Sequence, residues 1–292
     1  MSYKYKVDHA VIMAAGTSSR FAPLSYEKPK ALVTVRGEVL IERQIRQLQE
    51  AGIPQIILVV GYKKEQFAYL KEKYGVILVE NREYLTRNNN GSIYAARDYL
   101  KNSYICSADN YFTRNPFESH VEDSYYSALY ANGETKEWCL KEDDQGYICD
   151  VAIGGSNAWY MMGHAFWSES FSREFIRILQ QEYNRPDTAD LLWEAIYRKH
   201  LDKLKLKIRR YYPDFIFEFD TLDELRSFDK TYIYDTRSTI LKGIAQGLEC
   251  HESDIKNISA LKGTMEAIGF EFTLNSNRYE YTYGKKGIRR IA

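Results

Sequence analysis

Short apolar runs alternate with amphipathic stretches along the first part of the chain. The apolar runs have strand length, and they predict buried strands at residues 9–15, 55–60, 76–79 and 104–108. Apolar positions at helical spacing predict helices between these strands, at residues 38–51, 63–73 and 91–100. Strands that alternate with helices are typical of a parallel sheet covered on both faces. We therefore expect a Rossmann-like α/β fold with a mixed, mostly parallel sheet and helices on both faces.

The pattern changes after the fourth predicted strand. Residues 125–166 show short apolar runs separated by turn residues, which predicts an antiparallel insertion that forms a roof over the sheet edge. Further helices are predicted at residues 171–183, 189–200 and 222–228, and one further strand at residues 215–219. Beyond residue 230 there is a helix pattern at 239–248 and a hairpin pattern around Asn275-Ser276-Asn277. The predicted organisation is a main domain of residues 1–230 and a small α+β appendage of residues 231–292.

Composition and charge narrow the class of protein. The 292 residues include 40 Lys and Arg against 40 Asp and Glu, so the formal net charge is zero. A nucleic-acid-binding surface normally brings a basic excess, so we expect no nucleic-acid partner. The four cysteines form no CxxC pair, and we expect reduced thiols without a zinc site. The N-terminus is polar and the apolar runs fall far short of the ~20 residues that span a bilayer, so we expect a cytoplasmic protein without membrane insertion.

A loop rich in small residues follows the first predicted strand. Backbone N–H groups in such a loop approach phosphates closely, and short hydroxyl side chains add donors. The nucleotide-binding residues predicted in this loop are Ala14, Ala15, Gly16, Thr17 and Ser18. Arg20 offers a fork of donors to phosphate oxygens, and Lys30, in Lys28-Pro29-Lys30, offers positive charge to an α-phosphate. The loop and these two cations together predict a site for a nucleoside triphosphate.

Two carboxylates follow predicted strands. Asp109 comes after the strand at residues 104–108, and Asp220 comes after the strand at residues 215–219. Ligands of open α/β sheets bind beyond the carboxyl ends of the strands, so both side chains can face one crevice. Carboxylate oxygens suit Mg²⁺, which predicts that Asp109 and Asp220 hold this ion. Two alternatives stay open, since Asp109 could cap a turn and Asp220 could cap the helix at residues 222–228.

These groups predict an in-line displacement at the α-phosphate of the nucleotide. The catalytic residues predicted for it are Lys30, Arg20, Asp109 and Asp220. A phosphate or phosphonate acceptor is largely ionised at neutral pH, since its second pKa is about 6, and it therefore needs no general base. The lack of a convincing catalytic histidine or cysteine agrees with this chemistry.

The sequence resembles the sugar-nucleotide pyrophosphorylase superfamily and, within it, the bacterial phosphocholine cytidylyltransferases. The resemblance covers about residues 8–230. The motifs that carry it are the loop from Ala14 to Lys30, Val60-Gly61-Tyr62, Asn88-Asn89 with Ser92, Ala108-Asp109-Asn110-Tyr111, Glu137-Trp138 and Phe217-Glu218-Phe219-Asp220. The resemblance implies Mg²⁺-dependent transfer of CMP from CTP to phosphocholine, giving CDP-choline and pyrophosphate for the decoration of cell-surface polymers.

The resemblance also implies roles for individual residues. The residues that would bind cytosine and ribose are Ala14, Ala15, Gly16, Asn88, Asn89 and Ser92. Trp138 and Glu218 would face the cationic amine of the acceptor, because an aromatic face and a carboxylate both attract a quaternary ammonium. Plain packing in the roof is the alternative for Trp138. Trp193 matches a tryptophan beside the amine pocket and is counted with the substrate residues.

Two departures from the family pattern concern the acceptor. Leu192 stands where the family has a tyrosine of the amine pocket. The family also has a carboxylate a few residues before the Glu-Trp pair, and here that carboxylate is either replaced by Gly133 or shifted to Glu134. Nucleotidyl transfer is unaffected, but 2-aminoethylphosphonate and phosphoethanolamine remain alternative acceptors. A non-catalytic nucleotide-binding regulatory subunit is the alternative from another class, and the presence of both cations and both aspartates argues against it.

The C-terminal tail has a weaker resemblance of its own. From about Ile233 it is similar to the start of a choline-kinase-like domain, through residues 258–263 and Phe270-Glu271-Phe272. We expect a remnant or truncated lobe without kinase activity. It would pack on the main domain or support a homodimer.

Overall fold

The computed structural model describes residues 4–263, 267–285 and 287–291. Met1, Ser2 and Tyr3 of the polar N-terminus and Lys286 of the basic C-terminal sequence lie outside the described residues. The chain forms two compact units: unit 1 comprises Met1–Gly16 and Ile41–Glu218, and unit 2 comprises Thr17–Leu40 and Phe219–Ala292. The predicted domain boundary near residue 230 stays a prediction.

Parallel strands form the centre of unit 1. The strand His9–Ala14 pairs in parallel with Gln55–Val60 on one side and with Ser103–Ser107 on the other, and Ile77–Glu80 extends the sheet beyond Gln55–Val60. Runs such as Ile56 to Val60 are continuously apolar because both faces of a parallel sheet are covered. The four predicted strands are confirmed, with ends that differ by one residue.

The predicted antiparallel roof is also present in unit 1. Its strands are Tyr125–Tyr130, Glu134–Glu142, Ile148–Ser156 and Trp159–Trp167. The last of these pairs antiparallel with Ser103–Ser107, so the roof continues the central sheet.

The sequence pattern did not predict two further strands of unit 1, because they are short and partly polar. Lys207–Arg210 pairs in parallel with Tyr125–Tyr130, and Asn110–Phe112 pairs antiparallel with Ile216–Glu218. One more short pair joins Tyr5–Lys6 to His120–Val121.

Most helices of unit 1 are shorter than the sequence predicts, and the one predicted at residues 171–183 begins two residues earlier. They are Tyr69–Tyr74, Asn89–Ala95, Glu169–Glu182 and Trp193–Lys199, together with Leu40–Glu50, whose first residue belongs to unit 2. The helix predicted at residues 63–73 is divided into a 3₁₀ turn, Lys64–Phe67, and Tyr69–Tyr74, and Lys63 has a left-handed φ of 47°. The helix predicted from residue 189 begins only at Trp193. The side-chain amide of Asn90 donates hydrogen bonds to backbone carbonyls just before this helix, those of Thr188, Ala189 and Leu191.

Unit 2 combines a small antiparallel sheet with short helices. The strands of the sheet, in order, are Lys256–Lys262, Ala267–Leu274, Asn277–Thr282 and Ile288–Arg290, and a separate hairpin joins Thr34–Val35 to Glu38–Val39. The helices are Leu24–Glu27, Leu222–Phe228, Thr231–Tyr234 and Thr239–Gly247. The predicted hairpin is confirmed, and its turn residues Asn275 and Ser276 have φ values of 48° and 65°, as a tight primed turn requires.

All four cysteines are free. No helix among the described residues has both the length and the apolar character needed to cross a membrane.

The close approach of Gly61 to Ala15 generates a stability prediction. A Cβ at position 61 would lie 2.9 Å from the carbonyl oxygen of Ala15 and 2.8 Å from the ring of Tyr84, whereas a Cβ at Gly16 would meet no described atom within 4 Å. We expect Gly61→Ala to lower the free energy of unfolding by about 1–3 kcal/mol, since overpacking displaces backbone. Urea denaturation measures this, with Gly16→Ala as the matched control. Equal midpoints for the two variants would contradict the packing argument.

Candidate active site

The phosphate loop begins at the end of the central strand of unit 1. Ala14 closes that strand, and the carbonyl of the next residue, Ala15, accepts a hydrogen bond from the backbone N–H of Tyr62 at 3.0 Å. This bond ties the loop to the Val60-Gly61-Tyr62 turn of the neighbouring strand, which the resemblance singled out. The open space beside Gly16 leaves the start of the loop accessible to a ligand.

The loop continues in unit 2 as a tight turn. After Thr17, Ser18 adopts a left-handed conformation with a φ of 49°, and its carbonyl accepts a hydrogen bond from the N–H of Phe21 at 2.9 Å. The turn Ser19–Phe21 therefore presents Arg20, whose side chain is 75% exposed. In a short, sharply turned segment of this kind, successive backbone N–H groups form a concave surface that binds anions.

The two predicted cations meet one predicted carboxylate within unit 2. Arg20 Nη1 lies 2.8 Å from Asp220 Oδ2, and Lys30 Nζ lies 3.4 Å from Asp220 Oδ1. Lys30 is only 5% exposed, so its charge is held in a largely desolvated place where electrostatic interactions are strong. Asp220 thus aligns both groups that the sequence assigns to the phosphates.

Asp220 does not cap the helix that follows it. The N-cap of Leu222–Phe228 is Thr221, which forms a capping box with Glu224. The carboxylate of Glu224 also accepts the backbone N–H of Asp220 at 2.6 Å. The capping alternative for Asp220 is therefore wrong, and its side chain serves the cations.

A second acidic group lies in unit 1. Strand pairing places Asn110 opposite Glu218, and the Asn110 amide lies 3.5 Å from a Glu218 oxygen. Asp109 directly precedes Asn110, and one of its carboxylate oxygens lies within 4.8 Å of a carboxylate oxygen of Glu218. Two close carboxylates are the oxygen donors that a hard divalent cation requires, so this pair fits a metal. The sequence singled out Asp109 for this role, and it missed Glu218 because the register of two short strands brings the pair together.

The asparagines assigned to the base have protein partners in unit 1. The Asn88 side chain accepts the N–H of Asn89 at 2.8 Å and so caps the helix Asn89–Ala95. Asn89 accepts the N–H of Trp193 at 2.7 Å, and the hydroxyl of Ser92 accepts from Asn81 at 3.2 Å. These bonds position the start of the helix, and contact with cytosine or ribose stays a prediction.

The two tryptophans assigned to the acceptor differ in burial. Trp138 is half-buried in the roof, opposite Ile153 on the neighbouring strand. Trp193 is only 2% exposed and stacks on Tyr126, with ring centroids 5.4 Å apart, among other aromatic side chains of the core. A substrate role for either residue stays a prediction, and for Trp193 the packing role is evident.

Sequence reasoning missed the glutamate beside Trp193. Glu194 is half-buried, and its two carboxylate oxygens accept hydrogen bonds from the Tyr126 hydroxyl at 3.0 Å and the Asn89 amide at 3.2 Å. Burial raises the pKa of Glu194, while these hydrogen bonds favour its ionised form. Glu218 also acts on Tyr126, and it adds to the rise in the Tyr126 pKa that burial causes. An ion pair to Glu194 is absent from the part of the chain that the structure describes.

The fold and these groups of residues define a nucleotidyltransferase. Residues 10–132 match the MobA-like NTP transferase domain family. The chain is 38% identical over 234 residues to the 2-aminoethylphosphonate cytidylyltransferase of Lancefieldella rimae, a match that covers 79% of this chain and 95% of the relative. It is 35% identical over 221 residues to the choline-phosphate cytidylyltransferase of Streptococcus pneumoniae, covering 76% and 96%.

A solved structure agrees with the sequence comparisons. The CTP:phosphocholine cytidylyltransferase of Streptococcus pneumoniae superposes with a TM-score of 0.74 at 35% identity, over 78% of this chain and 99% of that one. The chain therefore belongs to the bacterial cytidylyltransferases of the nucleotidyltransferase superfamily, as the sequence motifs predict.

The acidic pair of unit 1 generates a metal-binding prediction. We expect Asp109→Asn to weaken binding of a divalent ion at least about tenfold, because one of the charged oxygen donors is lost. Mn²⁺ serves as the probe, with binding followed by electron paramagnetic resonance. Asp98→Asn, which changes a carboxylate that is 81% exposed, is the control. Unchanged Mn²⁺ affinity in Asp109→Asn would remove Asp109 from the metal site.

Proposed function

We propose that this enzyme transfers CMP from CTP to the phosphate or phosphonate of a small acceptor that carries a cationic amine. The observation that carries the acceptor class is the carboxylate of Glu194, which bonds to Tyr126 and Asn89 and has no ion-pair partner among the described residues. A half-buried carboxylate without a cation favours a ligand that supplies one. The acceptors named for the two relatives, 2-aminoethylphosphonate and choline phosphate, are both of this kind.

The chemistry is an in-line displacement. An oxygen of the acceptor phosphate or phosphonate attacks the α-phosphorus of CTP, the bond to the bridging oxygen breaks, and pyrophosphate leaves with the electron pair. Arg20 and Lys30 bind the phosphates and offset the charge that develops in the transition state. The loop residues from Ala14 to Ser18 cradle the nucleotide with backbone N–H groups. Asn88, Asn89 and Ser92 lie beside the cytosine and ribose in this proposal.

A divalent cation completes the proposed site. We propose Mg²⁺, held by Asp109 and Asp220 as the sequence predicts, with Glu218 beside Asp109. When bound, this ion neutralises charge on the phosphates. The proposal is supported by the oxygen donors of Asp109 and Glu218, which suit a hard cation. A cytoplasmic location and a homodimer remain further proposals from the sequence.

Two features support a preference between the two acceptors. The carboxylate of Glu194 keeps lone pairs that a primary ammonium satisfies with N–H donors, whereas a trimethylammonium has no N–H to donate. In addition, Leu192 occupies the position of a tyrosine that the family uses around choline. Both features favour 2-aminoethylphosphonate over phosphocholine, the acceptor that the resemblance implies first.

Pyrophosphate release tests the proposed function. With CTP and Mg²⁺, we expect turnover with 2-aminoethylphosphonate, phosphoethanolamine and phosphocholine, and at least about tenfold higher kcat/KM for the primary amines, since a charged hydrogen bond contributes about 1.5–3 kcal/mol. Glucose 1-phosphate is the control acceptor. Preference for phosphocholine would restore choline as the acceptor. Binding of CTP without turnover of any acceptor would instead support the regulatory-subunit alternative.

The raised pKa of Glu194 predicts a distinct pH dependence. The ionised carboxylate attracts the amine, so kcat/KM for 2-aminoethylphosphonate should fall as the pH drops through a pKa above the ordinary glutamate value. Glu194→Gln should lower kcat/KM about 10- to 100-fold at neutral pH and abolish this acidic limb. The limb from the acceptor's own ionisation near pH about 6 should persist in both proteins.

Ethylphosphonate, which lacks the amine, is the matched control for this experiment. Its kcat/KM should be the same in the wild type and in Glu194→Gln. An equal loss for both acceptors would show that Glu194 only supports the fold.

A further inference from the structure

The C-terminal residues contact the segment that carries both phosphate-binding cations. The segment is Thr17–Leu40, which contains Arg20 and Lys30 and belongs to unit 2 together with the C-terminal residues. We propose that six residues, called the C-terminal clamp, position this segment for binding and turnover of the nucleotide: Phe228, Asp229, Tyr232, Arg237, Thr239 and Tyr283. The inference rests on the proposed function only in its kinetic readout.

The first fastening point is Glu27. One oxygen of its carboxylate accepts the backbone N–H of Thr239 at 2.8 Å and that of Ile240 at 3.4 Å, and it also accepts the Thr239 hydroxyl. These amides open the helix Thr239–Gly247, whose first N–H groups have no partner within the helix. The hydroxyl of the N-cap residue Ser238 accepts the N–H of Leu241. Glu27 therefore accepts the helix N–H groups that the N-cap does not bind. A carboxylate at the positive end of a helix is favourable in charge as well.

The second fastening point is the hairpin after Lys30. The carbonyl of Thr34 accepts the hydroxyl of Tyr232 at 2.7 Å and the guanidinium of Arg237 at 3.1 Å. Two residues further on, the N–H of Arg36 donates to the buried carboxylate of Asp229 at 2.7 Å. The guanidinium of Arg36 lies 3.8 Å from the centre of the Phe228 ring. Backbone groups of the hairpin are thus bonded directly to clamp side chains.

An aromatic contact adds a third fastening point. The rings of Tyr26 and Tyr283 are stacked, with centroids 3.6 Å apart and planes 6° from parallel. Tyr283 follows the strand Asn277–Thr282 of the C-terminal sheet. Contact between two aromatic rings buries a large apolar area, so the sheet is coupled to the helix Leu24–Glu27.

These contacts enclose Lys30 on both sides along the chain. Glu27 lies three residues before Lys30 and Thr34 lies four residues after it, so the backbone on each side is fixed by the clamp. The Lys30 side chain is itself 5% exposed and pairs with Asp220. Small displacements of a catalytic group cost large factors in rate, so a segment fastened at both ends is well suited to hold Lys30.

Part of this chain has no counterpart in the relatives. Nearly all of the Lancefieldella rimae relative, 95%, is matched by 79% of this chain, which leaves about a fifth of this chain without a counterpart. The resemblance covers about residues 8–230, which assigns the additional part to the C-terminal side. Most clamp residues therefore lie in the additional part, whereas Arg20 and Lys30 lie in the part that resembles the family.

Kinetics of Glu27 variants test the clamp. We expect Glu27→Ala to lower kcat/KM for CTP about 10- to 100-fold, because the Lys30 segment loses one fastening point, while KM for the acceptor stays within about twofold. Glu27→Gln keeps an acceptor oxygen and should recover most of the loss. Tyr283→Ala should act like Glu27→Ala, and Tyr283→Phe should resemble the wild type. Glu280→Ala, which breaks the ion pair with Arg289 on the C-terminal sheet, is the control.

Hydrogen exchange provides a readout that needs no turnover. Because coupling between two sites is reciprocal, α,β-methylene-CTP with Mg²⁺ should slow exchange of the Thr239 and Ile240 amides at least about fivefold in the wild type. Glu27→Ala should abolish this protection. These measurements keep the inference testable even if none of the proposed acceptors is turned over, in which case only the proposed function fails.

Three outcomes would overturn the clamp. The first is unchanged CTP kinetics in both Glu27→Ala and Tyr283→Ala. The second is a fall in activity that equals the fall in the fraction of folded protein. Calorimetric titration with α,β-methylene-CTP would detect it, because the number of binding sites would decrease while their affinity stayed normal. The third is a changed oligomeric state, measured by analytical ultracentrifugation, with normal CTP kinetics, which would assign these residues to self-association.

Discussion

The parallel pairing of the strand His9–Ala14 with a neighbour on each side is the constraint on which unit 1 depends. Each of its six residues is matched in register with Gln55–Val60, and five of them with Ser103–Ser107. Because the three strands run in the same direction, the segments that follow them emerge at one edge of the sheet. Ala15 and Gly16 follow the first strand, Gly61 follows the second, and Asp109 follows the third after a short connection. The parallel pairing therefore brings these loop residues and Asp109 to the same edge of the sheet.

Charge placement is the second organising feature, and it differs between the two units. In unit 2 a single carboxylate, Asp220, aligns Arg20 and Lys30, so two like charges are held close together before a polyanion arrives. In unit 1 the carboxylate of Glu194 is held by neutral donors, Tyr126 and Asn89. Neutral donors orient a carboxylate but leave its charge uncompensated. The first arrangement suits the phosphates of a nucleotide, and the second suits an amine.

Short sequence motifs identified most of the candidate site residues. The contacts that they missed form between residues far apart in the chain. Arg20, Lys30, Asp109 and Asp220 could be singled out because each stands in a short motif or directly after a predicted strand. Glu218 was expected to face an amine, but its closeness to Asp109 arises from the register of Ile216–Glu218 with Asn110–Phe112, a strand too short for a periodic signal. Glu194 carried no signal, since a glutamate in the first turn of a helix is ordinary. The division of the predicted helix at residues 63–73 likewise depends on backbone dihedral angles that the residue pattern does not show.

The sequence by itself determined the class of fold and the class of reaction. Alternating apolar runs are a local property, and the loop from Ala14 to Lys30 with its cations is a contiguous motif, so both can be read without knowledge of distant contacts. Only the tertiary structure decided which carboxylates become neighbours, which polar groups have partners and what the C-terminal residues hold. Those outcomes depend on pairs far apart in the chain, such as Glu27 with Thr239 and Tyr26 with Tyr283. Such pairs form because packing satisfies helix amides and buries aromatic rings, and neither requirement leaves a periodic pattern in the sequence.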